Sequence, residues 1–297
     1  MVKIAFLGLG LIGGSVARAL RVSPAHAGAT LAAWTPSGDG PRRALAAGML
    51  DEAPGEAVDA LRGADLVVLA APPLACADLL RRLGAGGDLR AALAPGATVT
   101  DVASTKAELA AVAAEAGVAY VGGHPMAGRE TSGFDAADAG LFRDRPWVIT
   151  PAVNGGDEAA VRALALACGA RPVEVAADLH DRLVASISHV PLLTSVALVE
   201  AVAGTAEGSA EDWAEDWADA RALAATGWRD TTRLARGDAT MGAEILASNA
   251  EAVAAVLHAY RDRIDGWLAL LEGPNGPDAG TLRARLAAAK ARLEEPA

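Results

Sequence analysis

The sequence predicts an α/β fold, a doubly wound Rossmann-type parallel sheet followed by an all-helical domain. Three observations carry this. Gly8-Leu9-Gly10-Leu11-Ile12-Gly13 stands between a short apolar run and a helical pattern, the place a dinucleotide-binding turn occupies. Short strand-like runs then alternate with helical stretches as far as about residue 175, and such alternation builds a parallel sheet. Beyond about residue 176 strand signals vanish into long alanine, leucine and valine patterns. Residues 1–175 are therefore expected to form a dinucleotide-binding domain and residues 176–297 a helical one.

Composition narrows the function classes. The 297 residues, 52% hydrophobic and 21% charged, suffice for two domains with a substantial core. A formal charge of −11 argues against nucleic acid or an anionic membrane surface as partner, because both need clustered Lys and Arg, and leaves a small-molecule substrate. Cys76 and Cys168 lack CxxC spacing, so two reduced, buried thiols are expected, without disulfide or metal. Met1-Val2-Lys3-Ile4 leads directly into a strand-like run with no export signal, and a cytoplasmic location is expected. The apolar stretch from Leu183 to Val199 is short for a membrane span and contains Ser186, Ser188, His189 and Pro191, so it reads as a buried helix.

In chain order, Lys3 to Leu7 reads as the first strand. Gly8 then makes the tight turn, Gly10 admits the pyrophosphate and Gly13 lets helix and strand pack closely, with Leu11 and Ile12 between them at the helix N-terminus. A second strand runs from Ala29 to Trp34 and ends at Thr35, where NAD enzymes commonly place an acid for the ribose 2′-hydroxyl. With Thr35 and Ser37 there, and Arg42 and Arg43 close behind, the cofactor is NAD or NADP with a lean to NADP; Asp39 is the acid that could restore NAD. The third strand, Asp65 to Ala71, ends at Pro72-Pro73, and Ala71, Pro72 and Pro73 complete the candidate cofactor contacts. A helix over Leu74 to Leu83, a strand over Ala97 to Val102, a helix over Ala107 to Ala116 and strands over Val118 to Val121, Trp147 to Thr150 and Pro172 to Val175 continue the pattern, with a helix over Asp157 to Cys168. Helices are expected over Leu179 to Ala203, Ala210 to Ala225, Met241 to Leu271 and Thr281 to Leu293.

Ligands of such sheets sit at the carboxyl ends of strands. The glycine-bracketed loop Gly122-Gly123-His124-Pro125-Met126-Ala127-Gly128 presents one imidazole there, with glycine supplying positive φ and close approach. Ser104, in Asp101-Val102-Ala103-Ser104-Thr105-Lys106, either hydrogen-bonds a ligand or caps the following helix. In the second half Arg229 and Arg233 have i,i+4 spacing, suited to clamping a carboxylate, although Asp230 offers a plain ion pair. His180 and His189 lie about two and a half turns apart on an unbroken helix, so they do not face one way and no metal pair is expected. Trp213 and Trp217 share a helical face and are read as packing, as between subunits, with a substrate-site role as the alternative.

The series Gly8 to Ser15, Asp101 to Lys106, Gly122 to Gly128 with Glu130, His180-Asp181-Arg182 through Ser188-His189, and Trp228 to Arg233 resembles, in this order and spacing, the prephenate and arogenate dehydrogenase family. The resemblance implies oxidative decarboxylation in tyrosine biosynthesis, with hydride passing to NAD or NADP, and a helical domain that closes the site and forms a homodimer. It implies that His124 accepts the proton of the ring C4 hydroxyl and that Ser104 holds that hydroxyl and orients the imidazole. Arg233 binds a substrate carboxylate on this reading, and Ser188, with His189, Arg229 and Glu130, belongs to the substrate contacts.

Two positions depart from the family pattern. Leu192 stands where many members carry a second histidine, and Gly242 stands where a tryptophan is usual, so the choice between prephenate and arogenate is left open. No space for an appended regulatory domain is expected. Hydroxyacid and imine-reducing dehydrogenases share this layout, but the hydroxyacid enzymes rely on a helical-half lysine, and none occurs between Ala176 and Leu271. A catalytically silent nucleotide-binding sensor is the rival of a different class.

Overall fold

Strands β1 (Lys3–Leu7), β2 (Thr30–Trp34), β3 (Leu66–Leu69), β4 (Thr98–Asp101) and β5 (Tyr120–Val121) form a parallel sheet in the order β2-β1-β3-β4-β5. This is a computed structural model, and it describes residues 2–26, 28–129, 131, 133–204, 217–274 and 276–295. Successive side chains of a strand point to opposite faces. Ile4 and Phe6 enter one core with Leu31 and Val68, and Ala5 and Leu7 enter another with Val67, Leu69 and Val99. Because both faces are covered, β1, β2 and β3 read as near-continuous apolar runs rather than alternating ones. Each fully buried Leu or Phe contributes roughly 1.5–3 kcal/mol.

Helices α1 (Leu11–Val22), α2 (Asp39–Ala46), α3 (Ala57–Leu61), α4 (Pro73–Leu83) and α5 (Ala107–Ala116) connect these strands. The strand order reverses between β1 and β3, so the carboxyl ends of those two strands, at Gly8 and Ala70, flank the crevice where nucleotides bind in such folds.

The last three strands do not join that sheet. β6 (Gly123–Pro125), β7 (Pro146–Ile149) and β8 (Arg171–Glu174) form a second one, in which β6 runs antiparallel to β7 with His124 opposite Val148, and β8 runs parallel to β7. The His124 segment is thus a short strand rather than a free loop. Gly123 makes this possible by close approach: a Cβ there would lie 2.6 Å from the Asp101 carbonyl oxygen. Neither Gly122 nor Gly123 adopts the positive φ expected of them.

After α6 (Glu158–Ala167), the chain enters a 27-residue helix, Ala177–Ala203, made of α7 (Ala177–Val184), a π-helical turn over Ala185–His189, and α8 (Val190–Ala203). It is longer than the sequence suggested and is not a buried core helix, since Leu179, Leu183 and Ile187 are 41%, 50% and 69% exposed. By length and composition alone this helix could cross a membrane. α9 (Trp217–Leu223) takes up the expected Ala210 to Ala225 helix, of which 210–216, with Trp213, lie outside the described residues.

α10 (Thr226–Thr231) and α11 (Ala239–Ser248) follow, and the long helix expected from Met241 is interrupted at Asn249, which takes φ −131°. The described residues fall into two compact units, 1–250 and 251–297. The second contains α12 (Ala250–Leu271) and α13 (Ala279–Leu293), tied by Arg285, which donates to the Gly266 carbonyl at 2.7 Å and lies over the Trp267 ring. Asp278 caps α13 through the Thr281 N–H at 2.7 Å.

Candidate active site

The glycine turn fits a bound dinucleotide. Gly8 has φ +105°, and a Cβ on it would meet the Ala70 carbonyl oxygen at 2.2 Å, so no other residue fits between β1 and β3. A Cβ on Gly13 would lie 2.8 Å from that of Ala70, which makes it the close helix-to-strand contact. Gly10 differs: nothing lies within 4 Å of its Cβ position, and it stands at the N-cap of α1 without a side-chain cap. The first N–H groups of α1, at Leu11 and Ile12, therefore adjoin open space, which is what a pyrophosphate requires.

Beyond the end of β2, the Thr35 hydroxyl accepts the Gly38 N–H at 3.1 Å and the Ser37 hydroxyl accepts the Asp39 N–H at 3.3 Å. Arg42 is paired with Asp39 and Arg43 with Asp135, both on the surface. Ala71 and Pro72 follow β3, Pro72 as the N-cap and Pro73 as the first residue of α4.

His124 lies partly buried on β6, over the end of β4. The strand is held by Asp101, whose carboxylate accepts the Gly123 N–H at 3.3 Å, the Ala103 N–H at 2.7 Å and the Tyr120 hydroxyl, and is ion-paired with Lys106. Ser104, partly exposed, lies three residues beyond the end of β4. It does not cap α5. The Lys106 and Ala107 N–H groups that open this helix are instead taken by Asp181, at 2.8 Å each.

Asp181 brings α7 against this end of the sheet, and its neighbour His180 meets His124. Their rings are edge to face with centroids 5.1 Å apart, and His124 Nδ1 lies 2.9 Å from His180 Nε2. His180 Nδ1 in turn lies 2.7 Å from Asp181 Oδ1. Among the described residues the other ring nitrogen of His124, Nε2, has no partner. Burial holds the His124 pKa well below the usual histidine range, with His180, Lys106 and His189 adding to the effect, so the ring is neutral at physiological pH.

His189 is also buried on this side of the helix, contrary to the expectation that it faces away from His180. Nine residues of α-helix turn about 900°, which puts two side chains on opposite faces; the extra residue of a π-turn removes about 100° of that and brings them round. The Asn249 side-chain amide donates to the Asp181 carbonyl at 2.8 Å and faces His189 Nδ1 at 3.1 Å. His189 Nε2 is consequently an N–H, and among the described residues it is buried without a partner. Burial pushes the His189 pKa down to about 4, with Asp181 opposing and His180 reinforcing.

Other residues singled out from the sequence lie farther from this cluster or off it. Ser188 is exposed within the π-turn. Arg229 and Arg233 are exposed, and they do not share a helical face, because α10 ends at Thr231 and Arg233 opens a new turn over Leu234–Arg236. That turn packs on α8, where the Ser195 hydroxyl accepts the Ala235 N–H at 3.0 Å. Glu130 lies outside the described residues. Leu192 and Gly242 are neighbours: a Cβ on Gly242 would lie 3.6 Å from Leu192 Cδ2, so both departures from the family pattern fall in one apolar place. Among the described residues no group of three His, Cys, Asp or Glu side chains is placed to hold a metal ion. Sequence reasoning singled out His180-Asp181-Arg182 as a motif but gave His180 and Asp181 no role in the site.

Comparison with known proteins agrees with the fold and the motifs. The profile of the prephenate dehydrogenase nucleotide-binding domain matches residues 16–197, and that of the prephenate dehydrogenase dimerization domain matches residues 176–283. Prephenate dehydrogenase of Lactococcus lactis is 31% identical over 269 residues, 89% of this chain and 70% of the relative. The crystal structure of Synechocystis arogenate dehydrogenase superposes with a TM-score of 0.76 at 30% identity, covering 98% of this chain and all of the other. Prephenate dehydrogenase from A. aeolicus, solved with hydroxyphenyl propionate and NAD+, has the same fold, with a TM-score of 0.82 at 23% identity over 99% of this chain and 98% of the other. A two-part profile match across most of the chain, together with a glycine turn shaped for a dinucleotide and a neutral histidine at the sheet end, shows that the chain belongs to the prephenate dehydrogenase family.

Proposed function

We propose that this chain is an NAD(P)-dependent dehydrogenase that converts prephenate to 4-hydroxyphenylpyruvate and carbon dioxide in tyrosine biosynthesis. The observation that supports it most is the state of His124, neutral, fixed through Nδ1, and with Nε2 bare at the carboxyl end of a dinucleotide-binding sheet. A nicotinamide, when bound, takes the hydride that leaves C4 of the substrate ring. His124 Nε2 takes the C4 hydroxyl proton as that carbon becomes a carbonyl, and Ser104 holds the same oxygen. Loss of carbon dioxide from C1 leaves its electron pair in the ring, and the resulting phenolate recovers a proton, so no net proton is released.

Two carboxylates on the substrate need fixed cations in a chain of charge −11. Arg233 binds one of them on this reading, and Arg229, Ser188 and Glu130 are retained as further substrate contacts. The unpartnered N–H of His189 supplies a buried donor to the same site. Thr35 and Ser37, with no acid at the end of β2, favour NADP over NAD; Asp39, already paired with Arg42, is engaged elsewhere.

The division into a cofactor domain over 1–175 and a substrate-closing domain over 176–297 is retained as a proposal. So is a homodimer through the exposed Leu179, Leu183 and Ile187 face of α7 and the turn after it, within the region matched by the dimerization profile. Two buried thiols, Cys76 and Cys168, support a cytoplasmic site of action.

Arogenate is the second reading, favoured by the 30% identity to an arogenate dehydrogenase and by the apolar Leu192 where the substrate side chain is otherwise met by histidine. Mixing purified protein with prephenate or arogenate, each with NAD or NADP, and following absorbance of the reduced cofactor distinguishes them. Faster reduction with prephenate is expected. Reduction with arogenate alone reverses the substrate assignment, and none with either points to a nucleotide-binding sensor.

A further inference from the structure

The hydrogen bonds that converge on His124 fix which of its nitrogens carries the proton. Asp181 uses Oδ1 to accept the Lys106 N–H and Oδ2 to accept the Ala107 N–H, so both oxygens are anchored at the start of α5. An ionised carboxylate only accepts. The 2.7 Å contact to His180 Nδ1 therefore places a hydrogen on that nitrogen. In a neutral imidazole the second nitrogen is then an acceptor, and the 2.9 Å contact from His180 Nε2 requires a hydrogen on His124 Nδ1.

We infer that Asp181 and His180 are positioning residues that hold His124 as its Nδ1–H tautomer and so keep Nε2 bare for the substrate hydroxyl. The inference rests on the assignment of His124 as the base and goes beyond it by naming what sets the base's proton. A ring in the other tautomer presents an N–H to the C4 hydroxyl and cannot accept from it. The same chain serves the charged state: when His124 becomes imidazolium, its Nδ1–H points at a lone pair backed by an anion. Asp181 ties this orientation to the fold, because the carboxylate that aligns His180 is also the cap of α5, and the Asn249 amide holds its backbone carbonyl. A carboxylate behind a histidine acts in this way in hydrolase triads, where the wrong tautomer costs roughly 10⁴-fold.

The test reads the tautomer directly. Long-range ¹H–¹⁵N correlation spectra of the full chain labelled in its histidine rings, with His124 assigned through the His124→Asn variant, should show protonated Nδ1 and bare Nε2 for both His124 and His180. A His124 protonated at Nε2 in the wild type overturns the inference, whatever the variants do. In kinetics, His180→Leu should lose roughly 10²-fold or more in kcat with KM little changed. His180→Gln, whose amide oxygen can reach the position of Nε2 and accept from His124, should recover at least tenfold of that loss. Equal losses in the two variants, or a loss confined to KM, also overturn it. The spectrum needs no turnover, so an Nε2-protonated His124 in a protein whose His124→Asn variant is inactive removes the relay while leaving His124 essential to turnover; normal turnover by that variant removes the base and with it the purpose of the relay.

Discussion

Lys106 and Asp101 form an ion pair in which neither side chain is exposed, directly beneath the strand that carries His124. Burying two charges is tolerable where they pair with each other and the carboxylate is held further: Asp101 also accepts two backbone N–H groups and the Tyr120 hydroxyl. Removing one partner leaves the other charged in an apolar surround. Lys106→Met should therefore lower unfolding free energy by about 3–5 kcal/mol in denaturant titration. It should also raise the acid limb of the pH–rate profile, since Lys106 is one of the charges holding the His124 pKa down. A change of under about 1 kcal/mol would show that the pair is not needed to hold β6.

His189 gives a stability prediction with a defined sign. The unfolded chain protonates this ring near pH 6.5, the folded protein only near pH 4, so between those values the unfolded state binds more protons and stability falls as pH falls. Above pH 6.5 the ring is neutral in both states and contributes nothing to the slope. Comparing wild type with His189→Gln by thermal or denaturant melts from pH 7 to pH 4, the wild type should lose up to about 3 kcal/mol more. Parallel curves would mean that the ring is not buried neutral.

Cofactor choice is tested at Thr35. A carboxylate at the end of β2 meets a ribose 2′-hydroxyl well and a 2′-phosphate badly. Thr35→Asp should weaken NADP by about 10- to 100-fold in kcat/KM and strengthen NAD, as expected for a lost or repelled charge-assisted contact of about 1.5–3 kcal/mol. Equal effects on the two cofactors would place the 2′ position elsewhere.

Arg233→Ala should raise KM for the substrate, with kcat/KM falling by about 10- to 150-fold for a lost charged hydrogen bond of about 1.5–3 kcal/mol. Arg233→Lys should recover only part, because a point charge does not replace a planar fork. Full activity in the alanine variant would assign the carboxylate to another cation.

The first sheet was legible because both its faces are buried, so β1 to β3 show as apolar runs, and because the glycine turn stands between β1 and α1. β6 was not legible as a strand: Gly123-His124-Pro125 is too short to show a period, and its pairing with β7 comes from residues more than twenty positions away. His124 stood out by the glycines around it, whereas Ser104 was given a site role only by the family resemblance. The roles of His180 and Asp181 could not be read although their motif was noticed, because they come from a contact between α7 and β6 and from a cap on α5, both set by tertiary packing. The π-turn over Ala185–His189 leaves no mark in the sequence, and reading it as α-helix put His189 on the wrong face. Likewise Asn249 interrupts what reads as one apolar helix because its amide is drawn to Asp181 and His189.

The central claim is that His124 accepts the proton of the substrate hydroxyl. Asparagine at this position keeps a hydrogen-bonding side chain but cannot act as a base. Steady-state assay of wild type and His124→Asn, with prephenate and saturating NADP or NAD, should show kcat reduced by roughly 10²- to 10⁴-fold with the fold intact by circular dichroism. Turnover by His124→Asn at the wild-type rate would contradict the account.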